Sequence, residues 1–307
     1  MLWNLILLLI GFGLLTYGAD MFIDGSAALA RRFHIPEIVI GLTIVAFGTS
    51  LSEASVSIAS VLHGANSVAV GNILGSNIAN IFLVLGLTAT ISALTIRKNT
   101  IKYEMPFVCF ITVLLMYIGA FYGVISRFSA GILLALFVAF LAYLRISGTK
   151  DVESDIDTKQ ISGLKIALFL IFGLCAVIYG SNLIVDSSVS IARIINISER
   201  IIGLTIIAFG TSLPELVTCI VAVLKKRSDL AVGNIIGSNI VNILFVLGIT
   251  GLIKPINFEP TFLIDAAIAA VAAVMLWMFS LPKHKLSRWV GVLFLCCYSI
   301  YVVLLFQ

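Results

Sequence analysis

Charge is what this sequence has least of. Of 307 residues only 11% are charged while 61% are hydrophobic, and the mean hydropathy is strongly positive. A soluble domain carries about 25% charged residues, so a water-soluble enzyme or binding module is excluded. Histidine is also scarce: His34, His63 and His284 all fall in or next to loops. The five cysteines (Cys109, Cys175, Cys219, Cys296, Cys297) lie in apolar stretches without metal-ligand spacing. They read as small buried side chains and carry no redox information. The N-terminal stretch lacks a basic leader and a small-residue cleavage signature, so it reads as a first helix rather than a signal peptide. The net charge of +4 is spread over short loops and is no nucleic-acid footprint.

What is present is apolar length. A spanning helix needs ~20 mostly apolar residues, and ten stretches qualify. They lie near 2–28, 36–62, 67–93, 103–123, 128–146, 164–191, 198–224, 229–253, 259–280 and 287–306. The expected fold is an all-α polytopic membrane protein of ten transmembrane helices.

The chain also repeats itself. At an offset of 162, GLTIVAFGTSLSE (41–53) aligns with GLTIIAFGTSLPE (203–215), and AVGNILGSNIANI (69–81) with AVGNIIGSNIVNI (231–243). About 29 of the 48 positions from 41 to 88 are identical to their partners, so the chain is two copies of one five-helix unit. Residues 1–146 form the first repeat and 163–307 the second. The polar run 147–162 joins them as a solvated cytoplasmic linker.

Basic residues set the orientation. With the N-terminus outside, fifteen of the nineteen Lys and Arg fall in inside loops, as the positive-inside rule requires. Both termini then face out. A unit with an odd number of helices must be inverted in its second copy. Lys225-Lys226-Arg227 thus faces inside, while its counterpart His63-Gly64-Ala65 faces outside. Inverted repeats build a midplane site at their interface from interrupted helices.

Glu53 and Glu215 fall midway along the second and seventh stretches, at matched depth. Intramembrane carboxylates mark functional sites by default. Thr49 and Thr211 lie four residues before them, on the same face of a helix. Gly48, Gly210 and Pro214 disfavour regular helix, freeing carbonyls near Ala46, Thr49, Ala208 and Thr211. Ser76 and Asn80 share a face, as do Ser238 and Asn242. The accompanying GxxxG spacing allows close helix packing. All these ligands are oxygen donors, which suits hard cations such as Ca²⁺ or Na⁺, with Mg²⁺ or Mn²⁺ as further candidates. One Ca²⁺ or two Na⁺ neutralise the carboxylate pair. Asp20, Asp24, Asp186 and Asp265 lie near apolar stretches and read as interfacial or structural.

GTSLSE…GNILGSNIANI and GTSLPE…GNIIGSNIVNI resemble the paired α-repeats of the calcium/cation antiporter superfamily, and most closely those of prokaryotic sodium/calcium exchangers. The resemblance covers essentially the whole chain. It implies alternating access, with one Ca²⁺ competing with Na⁺ at a shared cluster while the first and sixth helices slide across the core. It assigns Glu53 and Glu215 as shared Ca²⁺ ligands, and backbone oxygens of Thr49 and Thr211 to Ca²⁺. Ala46, Ser50, Ser76, Ala208, Ser212 and Ser238 complete the Na⁺ sites, and Asn80 and Asn242 line the middle.

Two departures stand out. Ser52 replaces the usual proline before the first glutamate, so either the helix break is softer there or Ser52 adds a hydroxyl. Asn242 stands where some relatives carry Asp, which leaves the charge at −2. Proton/calcium exchangers carry a GNxxE pattern with a nearby His, which GTSL(S/P)E lacks, so Na⁺ is favoured over H⁺ as driving ion.

The resulting expectation is a Na⁺/Ca²⁺ antiporter in the multi-pass cell membrane of a prokaryote. It has the bilayer as partner and neither catalytic residues nor a cofactor. An H⁺-coupled or broader divalent-cation antiporter is the alternative. A channel usually builds its filter from symmetric rings or carbonyl loops, and an intramembrane metalloenzyme needs a ligand set for polarised water. Neither is visible here.

Overall fold

The computed structural model describes residues 2–147, 162–195 and 208–305. Most of the expected linker and the start of the seventh apolar stretch lie outside these residues. Hydrocarbon offers no hydrogen-bond partner to the backbone, so each crossing must satisfy its own N–H and C=O groups, and the chain is nearly all helix. In order the helices are α1 (Leu2–Phe33), α2 (Glu37–Thr49), α3 (Leu51–Leu62), α4 (Asn66–Ile91), α5 (Thr100–Tyr122), α6 (Arg127–Ser147) and α7 (Gly163–Ile194). They continue with α8 (Ala208–Thr211), α9 (Leu213–Leu224), α10 (Ser228–Ile253), α11 (Phe262–Ser280) and α12 (Arg288–Leu305). Among the described residues eight helices are long and apolar enough to span a membrane, and α2 with α3 make a ninth, bent span.

The purely helical expectation meets one exception. Four two-residue strands, β1 (Leu94–Thr95), β2 (Val124–Ile125), β3 (Ile256–Asn257) and β4 (Lys285–Leu286), form two antiparallel ladders, β1 with β4 and β2 with β3. They lie just beyond helix ends, where the released backbone pairs with a neighbouring loop.

Helices α4 and α10 form the centre: 72% and 83% of their apolar windows are buried, against 22–39% for the other full-length spans. Their Gly, Ala, Ser and Asn residues let neighbours approach closely. A Cβ on Gly237 would sit 2.6 Å from Ala46 Cβ, and one on Gly233 would sit 3.0 Å from Gly41 Cα. Helix α2 therefore packs backbone to backbone on α10. The outer helices present Phe121, Phe128, Ile171 and Trp289 outward, as lipid contact allows. The cysteines divide between these environments. Cys219 is buried, Cys109 and Cys297 are partly so, but Cys175 and Cys296 are exposed on outer faces. Cysteine serves as a lipid-facing apolar side chain there, which corrects the expectation of burial.

Helices α1 and α7 run antiparallel along each other. At 32 residues each they extend about 48 Å, well beyond the ~30 Å hydrocarbon core and past the expected ends at 28 and 191. Their seam is lined by Gly11 against Gly180 and Gly18 against Gly173. A Cβ on Gly173 would lie 2.7 Å from the Phe22 amide nitrogen, and one on Gly180 2.6 Å from that of Leu15. The offset of 162 carries Gly11 to Gly173 and Gly18 to Gly180, so the contact is reciprocal.

Helices α3 and α9 end in matching caps. Ala65 N donates to Ser60 O at 2.8 Å, and its counterpart Arg227 N to Ala222 O at 2.8 Å. Both are six-to-one bonds of the kind that closes a helix through a left-handed residue. That residue is Gly64 (φ 83°) in the first copy and Lys226 (φ 60°) in the second.

Candidate functional site

The two glutamates occupy equivalent structural positions. The backbone leaves helical geometry at Ser50 (φ −77°, ψ 6°) and again at Ser212 (φ −92°, ψ 2°). In the first copy the axis turns by 45° there. The break thus falls at the serine in both halves, with proline present only in the second. Thr49 and Glu53 consequently sit on opposite sides of a break, rather than on one face of a continuous helix. Each glutamate is the third residue of a new helix, α3 or α9, where the free amides and the helix dipole favour negative charge.

Ser50 and Glu53 have the S-x-x-E spacing of a capping box, but no side chain caps α3. The Ser50 hydroxyl turns instead to Glu215 Oε1 of the other copy, 3.4 Å away. Ser52 donates to Glu53 Oε2 at 2.9 Å and to the Thr49 carbonyl at 3.0 Å, and lies 3.4 Å from the Thr211 carbonyl. Where proline was expected, Ser52 supplies a hydroxyl and the break remains. Thr49 Oγ1 lies 3.1 Å from Asn234 Oδ1, 3.5 Å from Ser238 Oγ and 3.3 Å from the Ala46 carbonyl.

The other half of the site comes from the two central helices. Both contain a short π-helical segment, Asn80–Leu85 in α4 and Val241–Val246 in α10, a feature frequent at functional sites. Asn80 opens the first, and Asn242 is second in the other. Helix α3 packs on the Val241–Val246 segment and α9 on Asn80–Leu85. Each carboxylate-bearing helix therefore meets the asparagine-bearing segment of the opposite copy. Ser76 is buried one turn before Asn80, and Ser212 is buried at its break. Ala208 opens α8, and its side chain lies outside the described residues.

Burial here is complete for Glu53, Glu215, Asn80 and Asn242, all at 0% exposure. Ten buried side-chain nitrogen and oxygen atoms lack a hydrogen-bond partner among the described residues. Five are Glu53 Oε1, Glu215 Oε2, Asn80 Oδ1, Asn242 Oδ1 and Ser212 Oγ. All five are oxygens, and no ion pair to either glutamate is found among the described residues. A buried carboxylate costs several kcal/mol unless paired or bound to metal. Neither Cys nor His completes a metal cluster with them among the described residues. The donor set is carboxylate, carboxamide, hydroxyl and carbonyl oxygen, the preference of a hard cation.

Four asparagines escaped the sequence reading: Asn72, Asn77, Asn234 and Asn239. Asn72 Nδ2 donates to the Glu53 carbonyl at 3.2 Å and to Ser57 Oγ at 3.0 Å. Asn234 Nδ2 makes the corresponding contact to Cys219 Sγ at 3.4 Å, and also donates to Thr218 Oγ1 at 3.1 Å. All four stand inside the duplicated blocks at matched positions, and an amide repeated in both copies of an apolar helix was the available signal. The remaining carboxylates lie elsewhere. Asp20 and Asp24 hold Lys225, Asp265 accepts from Tyr301 Oη at 3.1 Å, and Asp186 is exposed.

Comparison with known proteins agrees with this geometry. The family model described as sodium/calcium exchanger protein matches twice, over residues 3–145 and 165–307. The chain is 38% identical to the putative antiporter CaxA of Alkalimonas amylolytica, over 100% of both chains. It is 29% identical to the sodium/calcium exchanger MaX1 of Methanosarcina acetivorans, over 99% of this chain and 98% of that one. The solved structure of the sodium-calcium exchanger NCX_Mj, soaked with Na⁺ and Ca²⁺, superposes with a TM-score of 0.88 at 34% identity, covering 99% of this chain and 98% of that one. Each half carries its own match to one family model and the whole chain shares the architecture of a solved exchanger, so the protein belongs to the sodium/calcium exchanger family.

Proposed function

We propose that the protein exchanges Na⁺ for Ca²⁺ across the cell membrane by alternating access, at a midplane site built on Glu53 and Glu215. The observation that carries this reading is the set of five buried, unpartnered oxygens that includes one from each carboxylate. One Ca²⁺ or two Na⁺ cancel the charge of −2. The empty site bears its full desolvation cost, and this disfavours a conformational switch without cargo. Glu53 and Glu215 ligate Ca²⁺ together with backbone oxygens of Thr49 and Thr211. Ala46, Ser50, Ser76, Ala208, Ser212 and Ser238 hold Na⁺ around them, and Asn80 and Asn242 line the middle. No substrate bond is made or broken, so the protein is a transporter and no enzyme.

The reading includes ten helices in two inverted repeats, 1–146 and 163–307, with α8 and α9 completing the tenth span. Loop contacts support it. The β1–β4 ladder joins the loops of Arg97 and Lys285, both assigned inside, and β2–β3 joins the loops of Arg127 and Lys254, both assigned outside. The ladders flank α5, whose 23 residues span about 34 Å. β1 and β3 are equivalent segments at opposite ends of that helix, which supports a second copy lying upside down relative to the first. Arg97 pairs with Asp229 at 2.5 Å, Arg227 pairs with Glu37, and Ser67 bonds Glu259. Each pair joins loops assigned to one side. Both termini then lie outside.

The test is Na⁺-loaded liposomes diluted into Na⁺-free medium with tracer Ca²⁺. Uptake that requires internal Na⁺, and is lost in Glu53→Gln and Glu215→Gln, is the expected result. Uptake driven by a pH gradient alone would replace Na⁺ by H⁺, and uptake without any counter-ion would mean a channel.

A further inference from the structure

Between α4 and α10, at the level of the π-helical segments, four asparagine side chains meet across the boundary between the two copies. Asn80 Nδ2 donates to Asn239 Oδ1 at 3.0 Å, and Asn242 Nδ2 donates to Asn77 Oδ1 at 3.2 Å. These are one contact made twice, since adding 162 to 77 and 80 gives 239 and 242. Two longer contacts close the arrangement. Asn77 Nδ2 faces the Asn239 carbonyl, and Asn239 Nδ2 faces the Asn77 carbonyl, each at 3.5 Å.

The backbone carbonyls decide which way every amide points. A carbonyl only accepts, so Asn77 and Asn239 must turn their NH₂ groups toward it. Their Oδ1 atoms then face Asn242 and Asn80, which must present NH₂ in turn. The reverse setting would place oxygen against oxygen at both carbonyls. Asn80 Oδ1 and Asn242 Oδ1 are thereby left pointing away from the clasp, buried and without a partner. They join the unpartnered oxygens of Glu53, Glu215 and Ser212.

We propose that Asn77 and Asn239 are positioning residues of the exchange site, each fixing across the repeat boundary the carboxamide that offers its oxygen to the cation: Asn77 acts through Asn242, and Asn239 through Asn80. This rests on the cation site proposed above. Without the clasp each carboxamide is free to rotate, and in half its orientations it turns a positive NH₂ edge to a cation. The arrangement fixes two neutral ligands without adding a titratable group, so the charge of the site stays at that of the two glutamates.

The experiment is a pair of double-mutant cycles in proteoliposomes, reading the KM and maximal rate of Na⁺-driven Ca²⁺ uptake. Asn77→Leu and Asn239→Leu are expected to raise the KM for Ca²⁺ about tenfold, the worth of roughly one hydrogen bond, with a smaller effect on maximal rate. Asn77→Leu combined with Asn242→Leu should cost no more than Asn242→Leu alone, and Asn239→Leu with Asn80→Leu no more than Asn80→Leu alone. Asn77→Leu with Asn80→Leu, neighbours on one helix, should multiply. A general packing role would give coupling along the helix, and unchanged KM in the single variants or multiplication within the cross-repeat pairs would overturn the proposal. Should the leucine variants not fold, Asn77→Ala and Asn239→Ala serve, with the same rise in KM expected and an unchanged KM overturning the proposal. A parent protein that moves Ca²⁺ without Na⁺ dependence would instead remove the function on which the inference rests.

Discussion

Lys225, the last residue cap of α9, is held by Asp24 of α1 at 2.8 Å, and Asp20 one turn earlier closes on the same ammonium group at 2.7 Å. Lys225 also donates to the Asp20 carbonyl at 3.1 Å. The pair ties one of the two long helices to the carboxylate-bearing helix of the opposite copy. At the equivalent positions of the other copy stand Asp186 and His63, where no ion pair is found among the described residues. Helix α1 thus packs along α9, whereas α7 and α3 make no contact of that extent among the described residues. The protein is asymmetric although its sequence is duplicated.

Lys225→Met should loosen this tie. Asp20 and Asp24 are about half exposed, so the pair is worth under about 1 kcal/mol, a population shift of up to about fivefold. Hydrogen–deuterium exchange of the last turn of α9 should speed up by that factor. Raising the ionic strength should bring the parent toward the variant, because exposed charges are screened.

Glu53→Gln and Glu215→Gln should each abolish Ca²⁺ uptake and yet make the ion-free protein more stable to heat. Each removes a buried charge that only a cation neutralises. The parent should gain about 2.7 kcal/mol at a Ca²⁺ concentration one hundred times its dissociation constant. Thermal denaturation with and without Ca²⁺ reads both effects, and a variant that keeps the Ca²⁺-dependent shift would contradict them.

Lys226→Gly should stabilise the protein by about 1 kcal/mol, since a side chain in left-handed conformation costs about that much. The first copy already uses Gly64 at this turn. Thermal unfolding in detergent is the measurement, with Gly64→Lys losing a similar amount as its converse.

Gly173→Ala should be far more damaging than its one added methyl suggests. Its Cβ would meet the backbone of Phe22 at 2.7 Å, which cannot yield without separating α1 from α7. A loss of about 1–3 kcal/mol is expected, along with a fall in exchange rate. The neighbouring Gly13→Ala, where a Cβ meets nothing within 4 Å, is the control and should be silent or mildly stabilising.

The repeat, the paired glutamates and the apolar spans were legible because each is a one-dimensional signal: identity at fixed offset, charge in an uncharged run, and length. What escaped depends on three-dimensional placement. The position of the helix break did not follow from Gly48 or Pro214, since both copies break at the serine whether or not proline follows. The S-x-x-E spacing of Ser50 and Glu53 points to a local cap, yet Ser50 serves Glu215 of the other copy. Asn77 and Asn239 stand beside the serines that drew attention, but their partners lie 165 and 159 positions away. Only the packing of α4 on α10 shows which amides meet. The cysteines were misjudged for a related reason, because in a bilayer an apolar side chain is as much at home on the outside as in the core.

A surface whose contacts are reciprocal, like the asparagine clasp and the glycine seam, is one that a single repeat could present to a second copy of itself. A dimer of identical halves would carry every mutation on both sides, whereas two repeats in one chain diverge independently. Ser52 against Pro214, Ser57 against Cys219 and Gly64 against Lys226, each pair at matched positions, are differences open only to the second arrangement. The four asparagines of the clasp are positions where the two halves still agree.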